Sequence, residues 1–434
     1  MSPIAIGVTG VVALFVLIFM QVPIAFAMIA VGVVGFALQA GWAAAFTFLA
    51  SEPVRLLSSI DMATLPLFIL MGTFANIAGF SEDIYAFASA MLGHRRGGLG
   101  YATVGGCAAF GSVCGSTTAT AATFGKIALP QMLRRGYSPS FATSTIAASG
   151  TLKSLIPPST LMILYCIVAK TFIFDMFLAA VFPALLTIAF NIIAIAIIVR
   201  LDPNAAPARP RADWKERQAA TKQAVPALVL MILVFGGLYS GIFTVDEAAS
   251  VAAVLSLLFA LARRRMTLAS FLSGLQSCGA TAVMLYMILI GASVFTYFIT
   301  LARLPEALIH GIESMNLAPL ALIAMLLVAY IVLGTIFEEL SAILITLPFV
   351  LPIVVHAGYD PIWWGIVNVI QAELALIHPP FGIIIFILNS MAPEIPMRTI
   401  YKGVVPFIFA DIAVLVLLTI YPQIALWLPH ALSR

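Results

Sequence analysis

Charge is what this 434-residue chain has least of: Asp, Glu, Lys and Arg make up 9% of it, where a soluble domain carries about 25%. With 62% of its residues hydrophobic, it is read as a chain whose main solvent is a bilayer, with no room for a sizeable soluble domain. Cysteine is also scarce. Cys107, Cys114, Cys166 and Cys278 lie in apolar segments without C-x-x-C spacing, as small buried hydrophobes do, and not as a metal or redox site would require. A P-loop is missing, because Gly125-Lys126 is followed by Ile127, which argues against direct ATP coupling. H-E-x-x-H and G-x-S-x-G are missing too, and His94, His310, His356, His378 and His430 are scattered, so hydrolysis has no anchor and no enzyme is expected. The net charge of +3 is too small and too dispersed for nucleic-acid binding.

What the sequence does contain is one pattern written twice. Pro130, Gly136, Tyr137, Pro139, Pro157 and Pro158 recur 222 residues later as Pro352, Gly358, Tyr359, Pro361, Pro379 and Pro380, and no other proline falls in either window. Shared hydrophobicity cannot hold four prolines in register over thirty residues. Each copy has an apolar hairpin-like run, a Gly-Tyr-x-Pro turn and a hydrophobic segment broken by Pro-Pro. That is the form expected of a transporter built from two repeats with interrupted helices.

Spans near the ~20 residues needed to cross hydrocarbon divide the chain. The first half predicts five crossings, about 4–20, 22–40, 62–80, 138–169 (interrupted) and 172–200. The second predicts 224–242, 245–262, 279–301, 361–391 (interrupted) and 403–429. The stretch Pro3 to Met20 lacks a basic n-region and runs into another apolar segment, so it reads as a spanning helix and not a cleaved signal. Two further runs, about 98–133 and 318–355, have polar centres and are assigned as re-entrant hairpins. Amphipathic stretches at about 41–60 and 263–278 match at the same offset and read as interfacial arms of a scaffold. The expected fold is therefore an all-α polytopic membrane protein of two inverted repeats, 1–200 and 224–434, joined by a linker at 201–223. Inversion follows from the odd number of crossings.

Basic residues orient this scheme. Fifteen lysines and arginines, Arg95 through Lys402, fall on one side, and Arg55, Lys170, Arg303 and Arg434 fall on the other. The richer side is expected to be cytoplasmic, which makes the linker cytoplasmic and turns both termini outward.

Polar residues inside the apolar segments are the candidates for chemistry. The first hairpin reads Gly111-Ser-Val-Cys-Gly-Ser-Thr-Thr-Ala-Thr120 and the first break Ser149-Gly-Thr-Leu-Lys-Ser-Leu-Ile-Pro-Pro158. Glycine permits unwinding, proline removes a helical donor, and freed carbonyls beside hydroxyls outline an oxygen cage for sodium. Tight packing with back-bonded hydroxyls is the competing reading. The second copy reads Gly334-Thr-Ile-Phe-Glu-Glu-Leu-Ser341 and Glu373-Leu-Ala-Leu-Ile-His-Pro-Pro380. Carboxylates at membrane depth cost about 2.5–3.5 kcal/mol each, so Glu338, Glu339 and Glu373 are expected to face a polar cavity, an ion or a basic partner, unless they sit near an interface or are protonated. Lys153 serves either as counter-charge for an anionic substrate or as partner of an intramembrane glutamate, with snorkelling the third choice. Lys126 reads as interfacial snorkelling, and His378 as a packing residue or a substrate contact.

These residues resemble the large membrane subunit of the tripartite ATP-independent periplasmic, or TRAP, transporters. The likeness is carried by Val22-Pro-Ile-Ala-Phe-Ala27, Gly111-Ser-Val-Cys-Gly-Ser116, Gly150-Thr-Leu with Ile156-Pro-Pro-Ser159, Thr346-Leu-Pro348 and Pro406-Phe-Ile-Phe-Ala-Asp411, in that order over nearly the whole chain. The resemblance implies sodium-driven uptake of an organic anion, usually a carboxylate, across a bacterial inner membrane by an elevator motion. It implies two partners, a small membrane subunit of about four helices and a periplasmic substrate-binding protein, and no cofactor beyond Na+ as coupling ion. A first sodium site carries over to Ser112, Gly115, Ser116, Ser149, Gly150 and Thr151, and a second to Gly334, Glu338, Ile377, His378 and Pro379. Lys153, Thr117, Glu339 and Glu373 are left for substrate, and a sulfonate would also suit the lysine. Three residues depart from the family pattern: Lys153 where glycine is usual, His378 where threonine is usual, and Glu339 where a small residue is commoner. A symporter of similar fold acting alone is the nearest alternative, and a polytopic membrane enzyme a more distant one.

Overall fold

The computed structural model describes residues 2–432 apart from 115, 209 and 338, and of residues 335 and 336 only the backbone. Every regular element among the described residues is helical. Eight helices are long and apolar enough to cross a membrane, with Pro139–Ala169 counted as one, and the shorter apolar helices Pro3–Phe19, Ile24–Ala40, Pro319–Gly334 and Pro361–Ile377 add to them. The chain is an all-α polytopic membrane protein.

Most elements of its two halves match. Helix Thr117–Arg134 and helix Glu339–His356 start and end 222 residues apart, as do the starts of Pro139–Thr151 and Pro361–Ile377. Both proline pairs, Pro157-Pro158 and Pro379-Pro380, are cis. The turns before the broken helices are alike because the same residues build them. Gly136 and Gly358 take left-handed φ of 76° and 87°, which glycine adopts without a Cβ clash. Ser138 and Asp360 then cap the next helices by accepting the amides of Phe141 at 3.2 Å and Ile362 at 2.7 Å, with Pro139 and Pro361 in the first turn, where no amide is needed.

Packing is reciprocal, as inverted repeats require. Asp61–Ala78 lies against Val245–Ala262, and Ile24–Ala40 against Leu268–Leu301, each a helix of one half on the equivalent partner from the other. Small residues allow the second pair to approach closely: a Cβ on Gly32 would stand 3.0 Å from the Phe295 backbone nitrogen, and one on Gly291 2.7 Å from the Ala25 carbonyl oxygen. The hairpins and broken helices form a second body, with Pro139–Thr151 against Met397–Ile420 and Ile173–Leu201 against Pro361–Ile377. Trp363 is fully buried there and donates its indole N–H to the Leu418 carbonyl at 2.8 Å. The Tyr165 hydroxyl donates to the Pro361 carbonyl at 2.6 Å and so ties the first broken helix to the second.

Several boundaries differ from the sequence expectation, each for a local reason. Within the stretch 201–223, Leu201 still belongs to the preceding helix, and only the described residues of 202–213 are irregular. Asp213 caps a helix Trp214–Tyr239 through the Trp214 amide, so the crossing expected at 224 begins ten residues earlier. The irregular part is anchored, since Ala205 and Ala206 carbonyls accept the amides of Ser138 at 2.8 Å and Gly97 at 3.0 Å. The first arm is a separate helix, Trp42–Leu57, followed by a turn at Ser58 to Ile60. The second arm is not separate. Nothing breaks the chain after the Thr267–Ser270 capping box, and arm and crossing run on as one helix, Leu268–Leu301. The last span ends at Ile420, and a short helix Gln423–Leu432 follows Pro422. Helices Phe80–Leu92 and Leu304–Ser314 lead into the hairpins and were not anticipated.

Candidate transport site

The first break arises where the helix Pro139–Thr151 tightens into a 3-10 turn, Leu152–Leu155, and then extends through the proline pair until Thr160 restarts a helix. The second stops at Ile377, with His378 already extended at φ −79° and ψ 136°, and resumes at Ile383. Each break lies against its own hairpin through a glycine. A Cβ on Gly111 would lie 3.1 Å from both Cα and Cβ of Lys153, and one on Gly334 2.5 Å from the Ala375 Cβ. Lys153 and Ala375 are 222-residue equivalents, so one copy presents a cation where the other presents a methyl group. Thr117 and Glu339 are likewise equivalent, as are Thr151 and Glu373. The second copy's carboxylates stand on a shared frame at positions the first copy fills with hydroxyls, and the first copy's lysine stands where the second has a methyl group.

Most hydroxyls near the first break donate within their own helices. Ser112 donates to the Ala109 carbonyl at 2.6 Å, Ser149 to Thr145 at 2.6 Å and Thr151 to Ala148 at 2.8 Å. This is the back-bonded packing arrangement. A hydroxyl that donates its proton keeps its oxygen lone pairs, so the geometry leaves these oxygens able to coordinate a cation. Gly150 packs on Ala121 of the hairpin, where a Cβ would approach to 2.8 Å. Thr117 Oγ1 and Ser154 Oγ share a hydrogen bond of 2.8 Å that closes the hairpin tip on the break. Ser116 is exposed and caps helix Thr117–Arg134 through the Ala119 amide at 3.3 Å. Gly115 and Glu338 lie outside the described residues.

Lys153 is the group on which the two halves converge. It is 2% exposed, and the turn that carries it packs on helix Pro361–Ile377 of the other half. Cys114, Glu339 and Glu373 are the groups that act on it electrostatically. Among the described residues it has no ion pair within 4 Å and no side-chain hydrogen bond. Glu373 is 1% exposed. The Leu155 backbone amide, in the opposite break, lies close enough to polarise its carboxyl, and Lys153, Glu339 and Asp411 act on it through space. Its Oε1 has no hydrogen-bond partner. His378 is half-buried with Nδ1 unpartnered, Ile377 is fully buried, and Pro380 accepts the Tyr401 hydroxyl at 2.8 Å.

Three polar groups here went unread in the sequence. Asp411, 3% exposed, faces Glu373 from helix Met397–Ile420. Asn368 and Gln371, about three and two turns before the second break, are buried with Oδ1 and Oε1 unpartnered. Asp411 stands in the last quoted motif, and a carboxylate inside an apolar run was signal enough. The two amides carry no charge and gave none.

The chain matches, over residues 11–424, the family described as tripartite ATP-independent periplasmic transporter, DctM component. It is 34% identical over 373 residues to a C4-dicarboxylate TRAP transporter large permease protein of Pseudomonas aeruginosa, covering 86% of this chain and 87% of that one. It is 29% identical to an ectoine/5-hydroxyectoine TRAP transporter large permease protein of Ruegeria pomeroyi, over 96% of both. In fold it resembles the solved YdaH transporter of Alcanivorax borkumensis, with a TM-score of 0.62 and 15% identity over 91% of each chain.

Proposed function

We propose a mechanism for this chain from the premise that it belongs to the tripartite ATP-independent periplasmic transporters, as their DctM component, the large permease: it couples sodium entry to the uptake of a small organic anion. The observation that carries the reading is Lys153, a buried cation at the first break, in contact with the second half and, among the described residues, without an ion pair. A buried ammonium with no partner is poised for an anion that arrives from outside the protein. The anion we assign is a carboxylate, with Thr117, Glu339 and Glu373 around it.

Sodium is assigned to the two breaks. Ser112, Gly115, Ser116, Ser149, Gly150 and Thr151 make the first site from back-bonded hydroxyls and helix-end carbonyls. Gly334, Glu338 and the stretch Ile377 to Pro379 make the second, where His378 ends the helix and its last carbonyls have no following turn to bond. Sodium in both cages offsets the carboxylates of the second copy and lets a second negative charge, the substrate, enter the same membrane depth. The hairpins and broken helices are proposed to travel as one unit against the scaffold of reciprocal helix pairs, an elevator motion. A bacterial inner membrane, outward termini, a cytoplasmic linker and division of the chain near residues 200 and 224 complete the proposal.

As a large permease the chain works with a small membrane subunit and a periplasmic binding protein. Purified chain reconstituted in proteoliposomes with both partners should accumulate the organic anion only under an inward sodium gradient. Equal uptake without sodium would overturn the coupling, and uptake by this chain alone would overturn the tripartite mechanism.

A further inference from the structure

Away from the breaks, a cavity of about 910 Å³ opens where the scaffold meets the end of the first broken helix. Its lining includes Arg55, Lys170 and Arg303, three of the four cations on the cation-poor face. Residues 55, 170 and 303 come from the first arm, the end of the first broken helix and the end of helix Leu268–Leu301. Arg55 is already engaged. It grips both oxygens of buried Glu52, at 2.8 and 2.5 Å, and Ser293 hydrogen-bonds the same carboxylate from the second half. Lys170 and Arg303 are different, being exposed and, among the described residues, without ion pair within 4 Å or side-chain hydrogen bond; Lys170 acts on Glu52 only through space.

Their backbones are set by the helix ends they follow. Lys170 has φ 56° and ψ 43°, and Arg303 φ 53° and ψ 30°. Both occupy the left-handed region, where glycine fits freely and a Cβ clashes with the backbone. Each follows a helix end: the amides of Lys170 and Thr171 both bond the Cys166 carbonyl, and that of Arg303 bonds the Thr300 carbonyl. Left-handed residues of this kind are a common way for a helix to end, and here they fix where the two side chains leave the backbone. The carboxylates of the lining, Asp61 and Glu306, stand in first turns of helices, where N-terminal amides offset their charge.

We propose that this cavity is a capture site for the carboxylate group of a small organic solute, held between Lys170 and Arg303. A concave site whose cations have no ion pair raises the local concentration of anions. Lys170 ends the broken helix and Arg303 ends the scaffold helix, so a bound carboxylate spans the two bodies. If the elevator reading holds, movement separates the pair and releases the solute toward the breaks. The capture site itself does not depend on that reading.

The test is acetylation of Lys170 by a water-soluble succinimidyl acetate ester on the purified full chain, followed by peptide mass spectrometry. About 20 mM succinate should slow the reaction about threefold, as a site with a Kd of about 10 mM requires, while neutral succinamide should not. Lys402, in the same digest, reports reagent activity and should be unaffected. Arg303→Gln should remove the protection and Arg303→Lys should retain it. Equal rates with and without succinate, or equal protection by succinamide, would overturn the site. Protection with no sodium-driven uptake would leave this site standing and overturn the transport mechanism alone.

Discussion

Replacing Lys153 by methionine separates the two roles a buried lysine can have. Methionine is unbranched and only one atom shorter, so it keeps most of the packing against Gly111 while removing the charge. The cost to the fold is a difference of two comparable quantities. Glu339 and Glu373 attract the ammonium from beyond 4 Å, which at an effective dielectric of about 20 is worth less than about 4 kcal/mol each. Burial of the ammonium opposes this by several kcal/mol, so stability should change little, within about 3 °C in Tm. Uptake should change much more. A hydrogen bond to a charged group contributes about 1.5–3 kcal/mol, so Lys153→Met should reduce uptake at low substrate by about 10- to 100-fold in proteoliposomes containing both partners. Thermal unfolding in detergent and initial uptake rates decide the matter together. Undiminished uptake would refute the substrate role. A large fall in Tm would show that the lysine acts as a structural counter-charge.

Thr151→Ala should raise the sodium concentration for half-maximal uptake about fivefold, the equivalent of roughly 1 kcal/mol for one lost oxygen ligand, and Thr151→Ser should restore it; an unchanged sodium dependence would remove Thr151 from the cage. Gly334→Val should destabilise the second hairpin by about 1–3 kcal/mol through overpacking on Ala375, and Ala375→Gly in the same chain should recover most of the loss in a thermal melt. Arg263→Met should cost about 2–3 kcal/mol. It removes donations to the Ala78 carbonyl at 3.0 Å and the Gln223 carbonyl at 2.8 Å, a face contact with Phe80, and the ion pair that neutralises Asp83. An unaltered Tm would show that this junction between the halves is dispensable.

Punctuation by proline and glycine was legible in the sequence because it acts locally. The pairs Pro157-Pro158 and Pro379-Pro380 each remove two successive amide donors and interrupt their helices, where the single Pro130 and Pro352 do not, and Gly136 and Gly358 turn the chain before each broken helix. The 222-residue spacing therefore determined the repeat, the hairpins, the breaks and, through an odd count of crossings, their inversion. Apolar length determined most spans. It could not tell where a helix continues through water-facing residues, so the start at Trp214 and the unbroken helix Leu268–Leu301 emerged only from the structure.

Side-chain partnership was decided by tertiary structure alone. The sequence marked Lys153, Glu339 and Glu373 as costly residues at membrane depth, and left open whether they pair. Packing of the first break on helix Pro361–Ile377 brings them within electrostatic reach of one another without joining them, and adds Asp411 from a further helix. The same holds for Arg55, Lys170 and Arg303, which are more than a hundred residues apart and share a cavity only because two halves of opposite orientation close around it. Backbone breaks are a property of a few neighbouring residues, whereas the environment of a charge is set by everything folded against it.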